Sequence, residues 1–306
     1  MMLNRRRAIQ VIACAAALPA LAAGEGADVL RWEGFALGAT CSIAISGGQQ
    51  TRNEAALDAA LAEIGRMEAL FSLYRTDSAL MRLNRAGRLD DPAPDMVRLL
   101  GLSDDVYRLT AGRFDPTIQP VWRLLAETRG YPDAASLAAA RALVGWQHVT
   151  CGSRSVVFAK PGMALTLNGI AQGYATDRVA DVLRANGCTG VLADIGEIAA
   201  IGERAPGQPW RIAVAERGDS APEEHVELAD MSIATSSPHG TVLDADGRVG
   251  HIVDPLGEGA PPQWRRVSVI HPSAAMADGL STAFCLMDRA DIEAVASALG
   301  ARVMLA

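Results

Sequence analysis

Across residues 53–71, "NEAALDAALAEIGRMEALF", apolar side chains recur every three to four positions, the spacing of an amphipathic helix, with Asn53 as its N-cap. Upstream, "LRWEGFALGATCSIAIS" alternates and is rich in β-formers, which predicts strands joined by a turn around Gly34 and Gly38. "LYRTDSALMRLNRAG" reads as a turn and a helix, "RLDDPAPD" as a loop, and residues 95–111 as a helix closed by Gly112. Two prolines restrict the backbone of "RFDPTIQPVWRLL", and residues 133–143 are helical in pattern. "HVTCGSRSVVFAKPGMALTL" gives short strands. Further on, "GVLADIGEIAAIG", "WRIAVAE", "HVELADMSIATSS", "HIVDP" and "RRVSVIHP" read as successive strands, and a helix–strand pair from near Ala275 closes the chain. Helices come early and strands late, without βαβ alternation. That order predicts an α+β fold, with mixed sheets and helices packed around them in two closely packed lobes.

One stretch interrupts this pattern. In "LTLNGIAQGYATDRVADVLRANG", Gly169 and Gly173 sit where a strand-like run gives way to a helix beginning near Ala171. A glycine inside a helix costs roughly 1 kcal/mol relative to alanine. Two readings account for it. The bare backbone lets an anionic ligand such as phosphate approach the helix N-terminus, or it lets the helix pack closely on a strand. The spacing is neither G-x-G-x-x-G nor a Walker loop.

Two other segments carry candidate chemistry. In "MADGLSTAF", Asp278 and Thr282 lie four apart and share one face of a helix. A carboxylate with a hydroxyl suits a hard cation such as Mg²⁺, although a helix-end Asp and a buried Thr have the same signature. In "GHIVDPLGEGAPP", His251 and Asp254 are candidates for general acid–base work, or simply mark a strand end and a turn.

The N-terminus changes the picture of where the protein works. "NRRRAIQVIACAAALPALAAG" has the charged, apolar and A-x-A order of an export signal. Its arginine pair resembles the twin-arginine type, with cleavage expected after Ala22. Residues 1–22 are therefore expected to be a signal, residues 23–306 the working domain, and the periplasm its location. A lipoprotein anchor through Cys14 in "VIAC" is the weaker alternative. Cleavage would remove Arg5, Arg6 and Arg7 and shift the net charge from −7 to −10. Such an acidic body argues against nucleic acid as a partner. Lys160 is the sole lysine, which excludes a lysine Schiff base almost everywhere. The five histidines show no H-x-x-x-H pair and the cysteines no C-x-x-C, so zinc is not expected.

In order, "LGATCSI", "LYRTDSALMRLN", "GRFDPTIQPVW", "LNGIAQGYATDRVADVL", "IGEIAAIG", "PWRIAV", "SIATSS", "HIVDPLG" and "ADGLSTAF" resemble the ApbE family of FAD:protein FMN transferases. The resemblance covers most of residues 23–306. It implies an ApbE-like fold that binds FAD and Mg²⁺, transfers FMN to a Thr or Ser hydroxyl of another protein, and releases AMP. The acceptor would be a membrane or exported flavoprotein. By matching positions it implies that Gly169, Asp278 and Thr282 hold the metal. Leu37, Tyr74, Arg113, Phe114, Asp115, Thr166, Gln172 and Ile252 would contact FAD, and His251 or Asp254 would take the acceptor's proton. The chain departs from the family pattern at Leu37 (family Met), Thr166 (often Asp), Gln172 (Lys or Glu) and near Glu197 ("IGE" for "G-G-D"). The "DIGEIAAIG" variant and the twin-arginine signal are similar to the branch associated with nitrous oxide reductase maturation. Three rival readings keep parts of this pattern: a non-catalytic periplasmic FAD-binding maturation factor, a metal-dependent FAD pyrophosphatase, and an exported solute-binding protein.

Overall fold

The structure, a computed structural model, describes residues 29–214, 224–257 and 262–306. The export signal and Cys14 lie outside the described residues.

A seven-stranded antiparallel sheet forms the centre. It consists of β1 (Val29–Ala36), β2 (Ala39–Ser46), β6 (Val191–Asp194), β7 (Ile198–Ile201), β10 (Ser232–Ser236), β11 (Val267–His271) and β12 (Arg302–Leu305), hydrogen-bonded in that order. Because side chains alternate across a strand, each strand feeds two cores. Ile43, Ile45, Val191, Ala193, Ala199, Ile201, Val267 and Val269 face the main core. Ala44, Leu192, Ile198, Ala200, Ile233 and Ile270 face a second. Covering both faces explains why these strands read as nearly continuous apolar runs.

Helices cover the first face. They include α1 (Gln50–Phe71), α2 (Ala79–Ala86), α3 (Pro94–Leu109), α6 (Ala171–Ala185), α7 (Ala274–Phe284) and α8 (Arg289–Leu299). The second face is covered by the hairpin of β8 (Trp210–Val214) and β9 (Glu224–Leu228), whose Trp210, Ile212, Val226 and Leu228 pack onto it. A small sheet, β3 (Arg88–Asp90), β5 (Ser155–Phe158) and β4 (Val149–Cys151), and two short helices, α4 (Gln119–Glu127) and α5 (Ala134–Arg141), complete the described chain. The class is α+β, as the pattern predicts.

Several local readings need correction. α1 begins at Gln50, three residues before Asn53, because Asn53 is buried and its Nδ2 donates to the Gly47 carbonyl at 2.7 Å rather than capping the helix. Within "RLDD", Arg88–Asp90 pairs with β5 instead of looping. The two prolines that restrict "RFDPTIQPVWRLL", Pro116 and Pro120, sit in the first turns of helical segments, where a missing N–H is harmless. Residues 251–255, "HIVDP", form no strand, and two helices rather than one precede the final strand.

α6 and α7 approach each other closely through their backbones. A Cβ added at Gly173 would stand 2.3 Å from the Ala274 carbonyl oxygen and 2.8 Å from Asp278 Cβ. The glycine is there for helix–helix contact, and neither neighbour is a flexible side-chain end. Gly173→Ala should therefore destabilise the protein by about 3 kcal/mol, the upper end of overpacking costs. Urea unfolding checks this; an unchanged midpoint would show that the helices separate freely.

Candidate active site

The mouth of α6 is organised by a carboxylate from the neighbouring helix. Asp278 Oδ2 accepts the Gly173 N–H at 3.0 Å, and the Ala171 N–H donates to the Leu167 carbonyl at 2.7 Å. The helix end expected to receive phosphate is thus partly filled by the protein itself. In return, α6 caps α7. Asp177 Oδ1 accepts from the Ala274 N–H at 2.7 Å, and Oδ2 accepts from the Ala275 N–H at 3.0 Å and the Ser273 hydroxyl at 2.7 Å. Each helix presents its N-terminal N–H groups to a carboxylate of the other, which is favourable for both dipoles.

Asp278 is nearly solvent-free at 3 % exposure. Burial pushes its carboxyl up to about 7, aided by the charge of Asp177 and opposed by the Gly173 hydrogen bond. Burial likewise raises Asp194 to about 7, against the hydrogen bond from Gly196. Glu197 is raised strongly, first by burial and then by the charges of Asp278 and Asp194. Its Oε2 accepts from the Thr235 N–H at 3.1 Å. Glu197 is a wall residue that the sequence flagged as a departure from a pattern and not as part of a site. The signal was present as "DIGE", but nothing in one dimension set it beside Asp278.

Asp278 and Glu197 open onto a cavity of about 370 Å³. Gly169 and Thr282 meet at its wall, where a Cβ on Gly169 would stand 2.9 Å from Thr282 Oγ1. Leu37 and Gly38 form a two-residue hairpin turn with φ of +50° and +84°. Such turns favour Asn-Gly, and a leucine at positive φ is uncommon. Two side chains hold it: Glu68 Oε1 accepts the Leu37 N–H at 3.0 Å, and Gln172 Nε2 donates to the Leu37 carbonyl at 3.2 Å. Gln172 therefore acts on the turn with its amide. Tyr74, half-exposed, lies against Gly38, and its hydroxyl is hydrogen-bonded to Asn168.

Arg113, Phe114 and Asp115 also line the cavity, on the turn after α3. Asp115 is spent on structure, with Oδ1 accepting from the Thr117 N–H and hydroxyl at 2.8 and 2.6 Å and Oδ2 from the Trp146 N–H at 3.1 Å. Burial raises its carboxyl, and those hydrogen bonds oppose the rise. Thr166 is anchored through its N–H to the Pro116 carbonyl at 2.8 Å, and its hydroxyl accepts from the Asn168 N–H at 3.3 Å.

His251 and Ile252 face the cavity from the irregular segment after residue 250. His251 Nδ1 lies 3.2 Å from the Thr241 carbonyl, an acceptor, so in the neutral ring Nδ1 carries the proton and Nε2 the lone pair. Burial lowers its pKa, against the nearby carbonyls of Thr241 and Pro238. That keeps the ring neutral at pH 7, as a base requires. Asp254, the second candidate base, needs correction. Its carboxylate does not line the cavity, although Val253 and Pro255 do. Asp254 Oδ1 accepts from Arg113 Nη1 at 3.2 Å and from the Leu256 N–H at 3.1 Å, and Arg141 donates to its carbonyl at 3.4 Å. Asp254 ties the 251–257 segment to Arg113, and positions it.

The arrangement suits a hard cation beside a phosphate. Among the described residues no three His, Cys, Asp or Glu side chains gather into a metal cluster. The available donors are instead mixed oxygens: the Asp278 carboxylate, the Thr282 hydroxyl and the Gly169 backbone at a cradle that a Cβ would fill. Buried carboxyls with raised pKa values, Asp278 and Glu197, are the groups whose charged forms a divalent cation would stabilise. The residues fit Mg²⁺.

A family model described as the ApbE family matches residues 37–305. The chain is 34 % identical over 241 residues to an FAD:protein FMN transferase of Vibrio cholerae, covering 74 % of this chain and 72 % of that protein. It is 28 % identical over 298 residues to an FAD:protein FMN transferase of Salmonella typhimurium, covering 92 % and 84 %. Among solved structures it is similar to the flavin transferase ApbE from Vibrio cholerae, with a TM-score of 0.80 at 27 % identity over 92 % of this chain and 94 % of that one. It is also similar to the apo flavinyl transferase ApbE of Pseudomonas stutzeri, with a TM-score of 0.77 at 30 % identity over 91 % and 92 %.

The raised carboxyls have a signed consequence. Between the ordinary carboxyl value of 3.8 and about 7, the native state keeps protons at Asp194 and Asp278 that the unfolded chain has released. Their contribution to stability therefore falls as pH rises through that window. Without divalent cation, Asp278→Asn should gain in melting temperature relative to the parent between pH 5 and pH 8. Mg²⁺ should stabilise the parent more at pH 8 than at pH 5 and leave the variant unmoved. Parallel parent and variant curves across this range would refute the assignment.

Proposed function

The chain belongs to the ApbE family, and from that premise we propose the chemistry by which it works as an FAD:protein FMN transferase. It is a flavin transferase whose substrates are FAD and a flavoprotein acceptor, which sets aside the solute-binding and non-catalytic readings. The finer reading is a Mg²⁺-dependent transfer of FMN to a Thr or Ser hydroxyl, with AMP as the leaving product. The observation that carries it is the convergence on one cavity of His251, Tyr74 and Arg113 with Gly169, Asp278 and Thr282, contributed by five separate segments.

Asp278, Thr282 and the Gly169 backbone would hold Mg²⁺, which when bound supplies charge neutralisation and Lewis acidity at the FAD pyrophosphate. Arg113, fixed by Asp254, places a cation at the cavity wall that favours the same anionic group. The Leu37–Gly38 turn and Tyr74 offer a bare backbone and an aromatic ring at the cavity wall for the planar parts of FAD. His251 Nε2 takes the proton of the acceptor hydroxyl. The acceptor oxygen then forms its bond to the phosphorus of the FMN half, the bond from that phosphorus to the bridging pyrophosphate oxygen breaks, and AMP leaves with that oxygen. Burial of His251 serves this step by keeping its ring unprotonated near neutral pH.

For location, we propose that residues 1–22 export the protein to the periplasm and that the acceptor is an exported or membrane flavoprotein. The "NRRRAIQVIAC" pattern and its A-x-A end support this. No helix among the described residues is long and apolar enough to cross a membrane. The assignment to the branch associated with nitrous oxide reductase maturation rests on "DIGEIAAIG" and the arginine pair.

Transfer is tested with FAD, Mg²⁺ and a flavoprotein acceptor, reading acceptor mass and AMP. The acceptor should gain one FMN per AMP released, at one Thr or Ser. His251→Ala should slow transfer by ~10²–10⁴-fold, the usual worth of general acid–base help. AMP with free FMN and an unlabelled acceptor would favour a pyrophosphatase instead. Near-normal transfer by His251→Ala would remove the base.

A further inference from the structure

Thr282 is a helical threonine, and such residues ordinarily donate their hydroxyl proton back to the carbonyl one turn earlier. Here that carbonyl belongs to Asp278, and it is taken: the Ser281 hydroxyl donates to it at 3.0 Å. A backbone carbonyl can only accept, so the proton of Ser281 is committed and its oxygen is left to accept. Ser236 Oγ, at the end of β10, lies 2.8 Å from Ser281 Oγ and 3.4 Å from Thr282 Oγ1. Ser236 must therefore donate to Ser281, and its own oxygen accepts from Thr282. The three hydroxyls form a one-way chain that runs from Thr282 through Ser236 and Ser281 into the Asp278 carbonyl.

The ends of this chain are fixed. Ser281 is fully buried, and the Cys285 thiol lies 3.3 Å from its carbonyl and 3.8 Å from that of Ser236. On its other side Thr282 Oγ1 faces the Gly169 backbone, so closely that a Cβ there would stand 2.9 Å away. With its proton drawn toward Ser236, Thr282 turns its oxygen lone pairs to that cradle.

We propose that Ser236 and Ser281 are positioning residues that make the Thr282 hydroxyl a lone-pair donor to the divalent cation. This rests on the cation site described above, and it assigns a role to two serines that do not themselves hold the metal. Without the chain, the Thr282 proton would rotate to the nearest free acceptor, and the lone pairs would leave the cradle.

The test is Mn²⁺ binding to the full chain with FAD present and no acceptor, read by the electron paramagnetic resonance of free Mn²⁺, with urea unfolding as a check of the fold. Ser236→Ala and Ser281→Ala should each weaken Mn²⁺ by ~10–100-fold, the usual cost of removing a partner that orients a ligand. Ser236→Thr, which keeps the hydroxyl, should retain most of the affinity. Asp278→Ala serves as the reference. If Asp278→Ala binds Mn²⁺ as the parent does, the cation site itself is wrong. If it abolishes binding while both serine variants bind normally, the hydroxyl chain is wrong. A loss confined to Ser236→Ala would also overturn the chain, because it requires both links.

Discussion

Asp278 and Asp177 are exchanged between two helices, each carboxylate accepting the N-terminal N–H groups of the other helix, and the active site is built around that exchange. The exchange is possible because Gly173 removes the one Cβ that would hold α6 away from α7. It satisfies donors that no turn of either helix can satisfy, and it anchors a buried carboxylate on a fixed backbone. A carboxylate held this way is costly when empty-handed: burial and the neighbouring charges drive Asp278 and Glu197 toward their protonated forms. Under the proposed function that cost would become affinity for a hard cation, which would meet oxygens already desolvated.

The rest of the cavity extends this pair outward. The turn at Leu37 is held in an uncommon conformation by Glu68 from α1 and Gln172 from α6, so the helix that carries the carboxylate exchange also fixes this part of the cavity wall. Strain of this kind persists where the surroundings over-determine it. Asp254 and Arg113 link the segment carrying His251 to the turn after α3. These contacts tie the loops around the cavity to the helical frame, a fixed geometry that favours reaction between bound groups.

Much of this was legible in one dimension, for physical reasons. The helices announced themselves through 3.6-residue periodicity, and Gly169, Gly173, Asp278 and Thr282 stood out because they break or decorate that period. Of the two readings of the glycine pair, close packing holds at Gly173, with α7 and not a strand as the neighbour, while Gly169 meets Thr282 at the cavity wall. What stayed hidden depends on long-range partners. Asn53 has the identity of a cap but spends its amide on Gly47. Asp254 looked like a base until Arg113 was found on its carboxylate. The segment 251–255 has β-branched residues yet forms no strand, because its bonds go to neighbouring loop backbone such as Thr241. Glu197, Ser236 and Ser281 come together across 85 residues of sequence, and no local pattern encodes that meeting.

The central claim is that the carboxylate exchange presents a cation site at the glycine cradle. Anomalous diffraction from crystals soaked with Mn²⁺ and FAD addresses it directly. The account predicts one Mn²⁺ peak bound by the Asp278 carboxylate, the Thr282 hydroxyl and the Gly169 carbonyl, with the FAD pyrophosphate against it. A peak held by Asp194 and Glu197 away from Thr282, or FAD bound with no peak at Asp278, would contradict it.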